Sequence, residues 1–174
     1  GLGDVYKRQE IYCIKFGIGK KEVLYTAGIH ATEWITSLLL IKFAQNLCNA
    51  FVSNSQIYGY DAKYLYENCS LYIIPMINPD GINLVNNFYS PTSEVYISAN
   101  NIAKNYPDIP FPSGWKANIN GVDLNSQFPA NWELGKKIKS NLGYNKPAPR
   151  DFAGDSPLSE PESQAMYNLS LIHI

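Results

Sequence analysis

The stretch Leu71-Tyr72-Ile73-Ile74-Pro75-Met76 restricts the fold of this chain more than any other feature. It is a continuous apolar run, without the in-and-out alternation of a strand that shows one face to water. Such a run belongs at the centre of a sheet covered on both faces, which calls for helices on either side. The flanking sequence supplies them. Trp34 to Phe51 carries apolar residues at helical spacing (Ile35, Leu38, Leu39, Phe43, Leu47) and reads as an amphipathic helix. Asp61 to Glu67 reads as a short helix. Glu10 to Phe16 and Glu22 to Ala27 read as strands around the turn Gly17-Ile18-Gly19-Lys20-Lys21, giving a hairpin or adjacent pair. Asn78-Pro79-Asp80-Gly81 is a turn and cap signal, and Tyr89 to Gly121 reads as irregular. Ser159 and Glu162 form a capping box around Pro161 at the start of a last helix. Strands that alternate with helices, with no internal repeat or linker, predict one α/β domain.

Charge and composition exclude several functions. With 174 residues the chain is long enough to bury a sizeable core. A hydrophobic content of 45% with 17% charged residues is that of a globular protein. A net charge of −1 supplies no basic field for phosphates, so no nucleic-acid partner is expected. Apolar runs such as Ile35 to Phe43 are too short and interrupted to predict a membrane span. Cys13, Cys48 and Cys69 have no metal-site spacing, and an odd count argues against a complete disulfide framework. They are expected to be buried small apolar residues. Arginine is scarce: only Arg8 and Arg150 occur among the 14 basic residues.

His30 and Glu33 stand three apart in Gly28-Ile29-His30-Ala31-Thr32-Glu33-Trp34, where an apolar strand gives way to a helix. Imidazole nitrogen and carboxylate oxygen are both ordinary zinc donors, and catalytic zinc takes three protein ligands plus an open position. The pair would therefore be part of a metal centre whose other ligands lie elsewhere. Taken alone, it reads equally well as a strand-end histidine and a first-turn acid favoured by the helix dipole.

His30-x-x-Glu33-Trp34, Asn78-Pro79-Asp80-Gly81 and Gly121-Val122-Asp123-Leu124-Asn125 together resemble, in order and spacing, the zinc carboxypeptidases. Within that family the chain looks most like the bacterial γ-D-glutamyl-L-diamino acid endopeptidases. Trp115-Lys116-Ala117-Asn118, Pro147-Ala148-Pro149-Arg150-Asp151-Phe152 and Pro157-Leu158-Ser159-Glu160-Pro161-Glu162 support this. The resemblance implies a mixed, mostly parallel central sheet with helices on both faces, present incompletely. It implies one Zn2+ held by His30 and Glu33, with a third ligand, a histidine, and a general-base glutamate lying beyond this stretch. It further implies metal-activated hydrolysis of peptides or peptidoglycan stem peptides; the compartment stays open, with a bacterial cell envelope or secreted location favoured over the cytoplasm. Asn125 matches the family asparagine that holds the substrate's terminal carboxylate.

Gly1 to Gln9 and Ser170 to Ile174 resemble translated sequencing-adapter peptides, so the expected catalytic domain is residues 10–169, incomplete, and inactive by itself. The family residue after the asparagine is often arginine; here it is Ser126, which cannot clamp a carboxylate by a bidentate pair. Arg150 is the candidate replacement anion contact, with a solvated loop arginine as the plainer reading. Lys116 either faces the reacting carbonyl or is a surface lysine. His173 mimics a strand-end ligand, but too few residues follow Glu162 for a helix of about 11–12 residues and a returning strand. The alternatives are a metallocarboxypeptidase, a zinc deacylase and a non-catalytic cell-wall peptide-binding protein.

Overall fold

The computed structural model describes residues 10–173, with side chains described as far as Ser170. The adapter-like reading of residues 1–9 and of Ile174 lies outside the described residues. Five strands and six helices follow in order: β1 (Ile14–Phe16), β2 (Lys21–Thr26), α1 (Ile35–Val52), β3 (Gln56–Ile57), β4 (Tyr60–Asp61), α2 (Ala62–Asn68) and β5 (Cys69–Ile74). Then come α3 (Pro79–Val85), α4 (Glu94–Ala103), α5 (Trp132–Asn141) and α6 (Pro161–His173).

The central sheet has the order β1-β5-β2. β2 runs parallel to β5 over six register pairs, and β1 pairs antiparallel with it over three. The sheet is thus mixed, and its longer ladder is parallel. β5 is buried on both faces, as its apolar run requires. Leu71 and Ile73 point into a core with Phe16, Ala44, Leu47, Ala50 and Ala62, under α1 and α2. Ile74 joins Ile77, Leu124 and Met166 of α6 on the opposite face. Burying a side chain such as Ile73 or Leu47 contributes about 1.5–3 kcal/mol each.

β1 and β2 do not form the expected hairpin, nor are they adjacent: β5 lies between them. The turn instead carries the chain across the start of β5. Ile18 N–H donates to Tyr66 O at 2.8 Å and Gly19 N–H to Cys69 O at 3.1 Å. A strand as apolar as β5 is worth most with both edges paired, which outweighs the local preference for a tight turn. The crossing is so close that a Cβ on Gly19 would stand 1.9 Å from the carbonyl carbon of Asn68. Gly19→Ala should therefore destabilise the fold by about 3 kcal/mol, read as a lower denaturant midpoint at unchanged slope. An unchanged midpoint would remove this account of the crossover.

Other expectations are corrected. The strand expected from Glu10 covers only Ile14–Phe16. In α1 the docked residues are Ser37, Ala44, Leu47 and Ala50, whereas Ile35, Leu38 and Leu39 are 59%, 55% and 71% exposed. The small alanines allow close approach to the sheet, and this selects the face. By length and composition α1 could cross a membrane, contrary to the short run read from the sequence, yet here one side of it forms core. Cys13 and Cys48 are exposed and Cys69 is half-buried, all three as free thiols. Within the stretch read as irregular, Glu94–Ala103 is a helix capped by Ser93, whose hydroxyl accepts from Tyr96 N–H. The Ser159 and Glu162 capping box does not form: Ser159 donates to Gln127 Oε1 at 3.1 Å, and Glu162 faces Asn118. The backbone at His173 is helical, so no strand ends there.

Candidate metal centre

Beyond β2 the chain stays tied to β5 and its extension: Ala27 N–H donates to Ile74 O, Ile77 N–H to Ala27 O, and Asn78 N–H to Gly28 O. Gly28 then turns with φ +64, where a Cβ would meet Ser37 Oγ at 2.5 Å. This delivers His30 to the N-cap of a 3-10 turn, Ala31–Glu33. Three residues per turn place positions i and i+3 one above the other. His30 Nδ1 accordingly lies 3.1 Å from Glu33 Oε1. Two donors at about 2.0–2.1 Å from a tetrahedral zinc would be roughly 3.3 Å apart, so the pair fits two corners of one coordination shell.

The other ring nitrogen meets a carboxylate. His30 Nε2 is 3.3 Å from Asp123 Oδ1. A carboxylate behind a metal-binding histidine fixes its tautomer and orientation and raises its basicity. Asp123 is itself held from three sides. Its N–H donates to Phe152 O at 2.8 Å, Oδ1 accepts from Asn125 N–H at 3.1 Å, and Oδ2 accepts from Asp151 N–H at 3.1 Å. The hydrogen bond to Asp123 pushes the His30 pKa up, against the opposing effect of burial. Burial would raise the Asp123 carboxyl, but the hydrogen bond and charge of His30, with the Asp151 amide, hold it below the usual range.

Beneath the turn, Asn78 ties three segments together. Its Nδ2 donates to Ile29 O and Ala117 O, and its Oδ1 accepts from Gly81 N–H at the start of α3. Ala31 N–H donates to Lys116 O at 3.0 Å. That register brings Lys116 Nζ within 3.8 Å of Glu33 Oε1, so the lysine is beside the cradle. Asn125 lies in the 3-10 turn Leu124–Ser126 and is exposed. Its side chain makes no hydrogen bond among the described residues, so it caps no loop. Arg150 is 42% exposed and donates from Nε to Asp151 Oδ2 at 2.6 Å. The structure thus joins His30 to Glu33 directly, and connects Arg150 to them through Asp151 and Asp123. Among the described residues no third His, Cys, Asp or Glu completes a metal-binding group.

Asp123, although inside a quoted motif, carried no assigned role in the sequence reading, and neither did Asp151. The available signal was a lone acid in the apolar run Gly121-Val122-Asp123-Leu124, where burial demands a partner.

The turn that carries Asp123 rests on α6. Asn118 Oδ1 accepts from the amides of Asn120 and Val122, and its Nδ2 donates to Glu160 Oε2 at 2.7 Å. Burial, with Glu160 and Asp80 nearby, pushes the Glu162 pKa up to about 7. The folded protein therefore keeps a proton that the unfolded chain releases near pH 4.5. This contribution to stability is full below about pH 4.5, declines as pH rises to about 7, and is then lost. Glu162→Gln should remove that decline and raise stability at pH 8 by about 2–3 kcal/mol. Urea midpoints at pH 5 and pH 8 test it; parallel changes in both proteins would refute it.

The sequence profile of zinc carboxypeptidases matches residues 2–173. The chain is 41% identical over 169 residues to gamma-D-glutamyl-L-diamino acid endopeptidase 1 of Lysinibacillus sphaericus, covering 97% of this chain and 41% of that protein. It is 26% identical to carboxypeptidase O of Bos taurus, over 95% of this chain and 38% of that protein. The crystal structure of thrombin activatable fibrinolysis inhibitor superimposes with a TM-score of 0.65 at 20% identity, covering 97% of this chain and 38% of that one. Carboxypeptidase A from Helicoverpa armigera does so with a TM-score of 0.59 at 23% identity, over 94% of this chain and 34% of that one. The chain spans about two-fifths of the length of these curated relatives.

Proposed function

The chain belongs to the zinc carboxypeptidase family, and from that premise we propose that it is part of a metallopeptidase that cuts γ-D-glutamyl-diamino acid bonds in peptidoglycan stem peptides. The observation that carries the metal reading is the convergence of His30 Nδ1 and Glu33 Oε1, with Asp123 behind the ring. The substrate reading rests on the 41% identity to the Lysinibacillus endopeptidase across nearly the whole chain.

His30 and Glu33 would hold one zinc ion, which would supply a Lewis acid for the amide carbonyl and lower the pKa of water toward neutrality. His30 would offer Nδ1, which already lies 3.1 Å from Glu33 Oε1, to the metal, with Asp123 Oδ1 placed to accept the ring proton from Nε2. Glu33 gives a carboxylate oxygen from the same turn. Lys116 keeps a positive charge beside that carboxylate, where a developing oxyanion gains from it. Asn125 presents an unengaged side-chain amide to the substrate. Arg150 keeps its terminal amino groups for a substrate carboxylate while Nε holds Asp151. A further histidine ligand and the general-base glutamate are assigned to sequence outside residues 10–169.

Ser126 favours an endopeptidase over a carboxypeptidase, since serine cannot pair with a terminal carboxylate as arginine does. A protein that joins this chain to the remaining zinc ligand and the general base should cleave the stem peptide L-Ala-γ-D-Glu-diamino acid-D-Ala at its γ-D-glutamyl bond. Amidating the C-terminus should change the rate little. A strict need for the free carboxylate would transfer the assignment to a metallocarboxypeptidase. Stem-peptide binding without cleavage, unaffected by His30→Ala, would identify a wall-binding protein.

A further inference from the structure

We propose that Asp151 is a positioning residue: held between Lys139 of α5 and Arg150, it keeps its own backbone N–H on Asp123 and so fixes the His30 imidazole. The inference rests on the metal reading above and extends it outward by two residues. Asp151 adopts φ +65, a conformation that a residue with a β-carbon rarely takes. Such a backbone persists only where its surroundings over-determine it, and these conformations cluster at functional sites. Here the surroundings are specific. Asp151 Oδ1 accepts from Lys139 Nζ, and Oδ2 accepts from Arg150 Nε at 2.6 Å. The carboxylate is 14% exposed, so both cations act on a largely dehydrated group.

α5 is docked to the same segment at a second point, since Trp132 Nε1 donates to Ala153 O at 3.2 Å. The helix thereby presses residues 151–153 against Asp123, which receives the Asp151 amide at Oδ2 and donates its own N–H to Phe152 O. With Oδ2 occupied by that amide, Oδ1 is the oxygen that faces His30 Nε2. The chain of contacts runs Lys139 and Arg150, Asp151, Asp123, His30. Loss of the clamp frees the Asp151 backbone and removes the donor at Asp123 Oδ2, leaving the Asn125 amide at Oδ1 as the carboxylate's remaining backbone donor. The ring proton then passes more readily from Nε2 to Nδ1, beside Glu33 Oε1.

The test uses the full chain, 15N-labelled, with zinc affinity measured against a chromophoric chelator and the His30 tautomer read from long-range 1H–15N spectra of the apo protein. Spectra are taken at a pH where the ring is neutral, and His173→Gln assigns the two histidines. Wild type should show Nε2 as the more protonated ring nitrogen, with Glu33 Oε1 competing for the proton at Nδ1. Asp151→Asn should move both ring 15N shifts toward a mixed tautomer and weaken zinc binding roughly tenfold, as loss of an outer-shell contact does. Lys139→Met should act in the same direction, and it carries the test if Asp151→Asn does not fold. Unchanged ring shifts in a folded variant overturn the proposal, whereas a salt bridge that merely stabilises α5 would lower the melting temperature and leave the shifts alone. Because a further ligand is assigned outside residues 10–169, zinc held too weakly to measure leaves the apo spectra alone to decide the role of Asp151. Equal measurable zinc affinity in wild type and His30→Ala would reject the metal reading.

Discussion

Replacing His30 with alanine will lower the zinc affinity of this chain by more than about 100-fold. Loss of an outer-shell partner alone costs 10- to 100-fold, and His30 is proposed as a direct donor with its geometry already set. The 3.1 Å separation from Glu33 Oε1 and the Asp123 contact at Nε2 leave Nδ1 as the atom for the metal. Glu33→Gln should also weaken binding strongly, because a neutral amide replaces an anionic donor. His173→Ala, which changes the other histidine of the chain, should leave affinity unchanged. Chelator competition with metal analysis measures all three. Equal zinc content and affinity in wild type and His30→Ala would end the metal assignment, and with it the hydrolytic mechanism.

Trp115→Ala should cost about 3–5 kcal/mol of folding stability, in the range for truncating a buried aromatic. Trp115 is fully buried in a core with Ala31, Ile82, Leu84, Ala99, Ala103 and Ala117. Its ring meets Phe111 edge-on at 5.9 Å between centroids, and Nε1 donates to Asn118 O at 3.1 Å. Alanine would leave a void beneath the turn that bears both proposed metal donors, and would leave the Asn118 carbonyl with the Gly121 N–H as its remaining donor at 3.0 Å. Zinc affinity should therefore fall together with stability, even well below the melting temperature. Trp115→Phe keeps most of the volume, and should cost about 1–2 kcal/mol through the lost hydrogen bond and residual space. Denaturant titration with and without zinc tests this. A loss under 1 kcal/mol for the alanine variant would show that the core relaxes into the space.

The elements most legible in the sequence were those whose signal is strong and local. The apolar run of β5, the extent of α1 and the short helix α2 all sit where read, within a residue or two. α4 escaped notice because its buried positions, Val95, Ala99 and Ala103, are small residues in a stretch rich in Asn and Ser. α5 is polar overall and buries only Trp132, so few apolar residues mark it, and the helix is held by contacts to residues 151–155. The proposed metal pair was legible because one 3-10 turn suffices to align His30 and Glu33. Its support was not: Asp123 lies 93 residues away from His30, and Asp151 reaches Asp123 through a backbone amide, which no side-chain pattern encodes.

By itself the sequence determined the elements with strong local signals, β5, α1 and α2, and that the two proposed metal donors share one turn, because backbone periodicity and eclipsed i, i+3 positions act over a few residues. Tertiary structure alone decided that β5 separates β1 from β2, which side of α1 is buried, and which carboxylate stands behind His30. Those outcomes come from packing between distant segments. There, burial of apolar surface and the pairing of buried polar groups outweigh what any local stretch prefers.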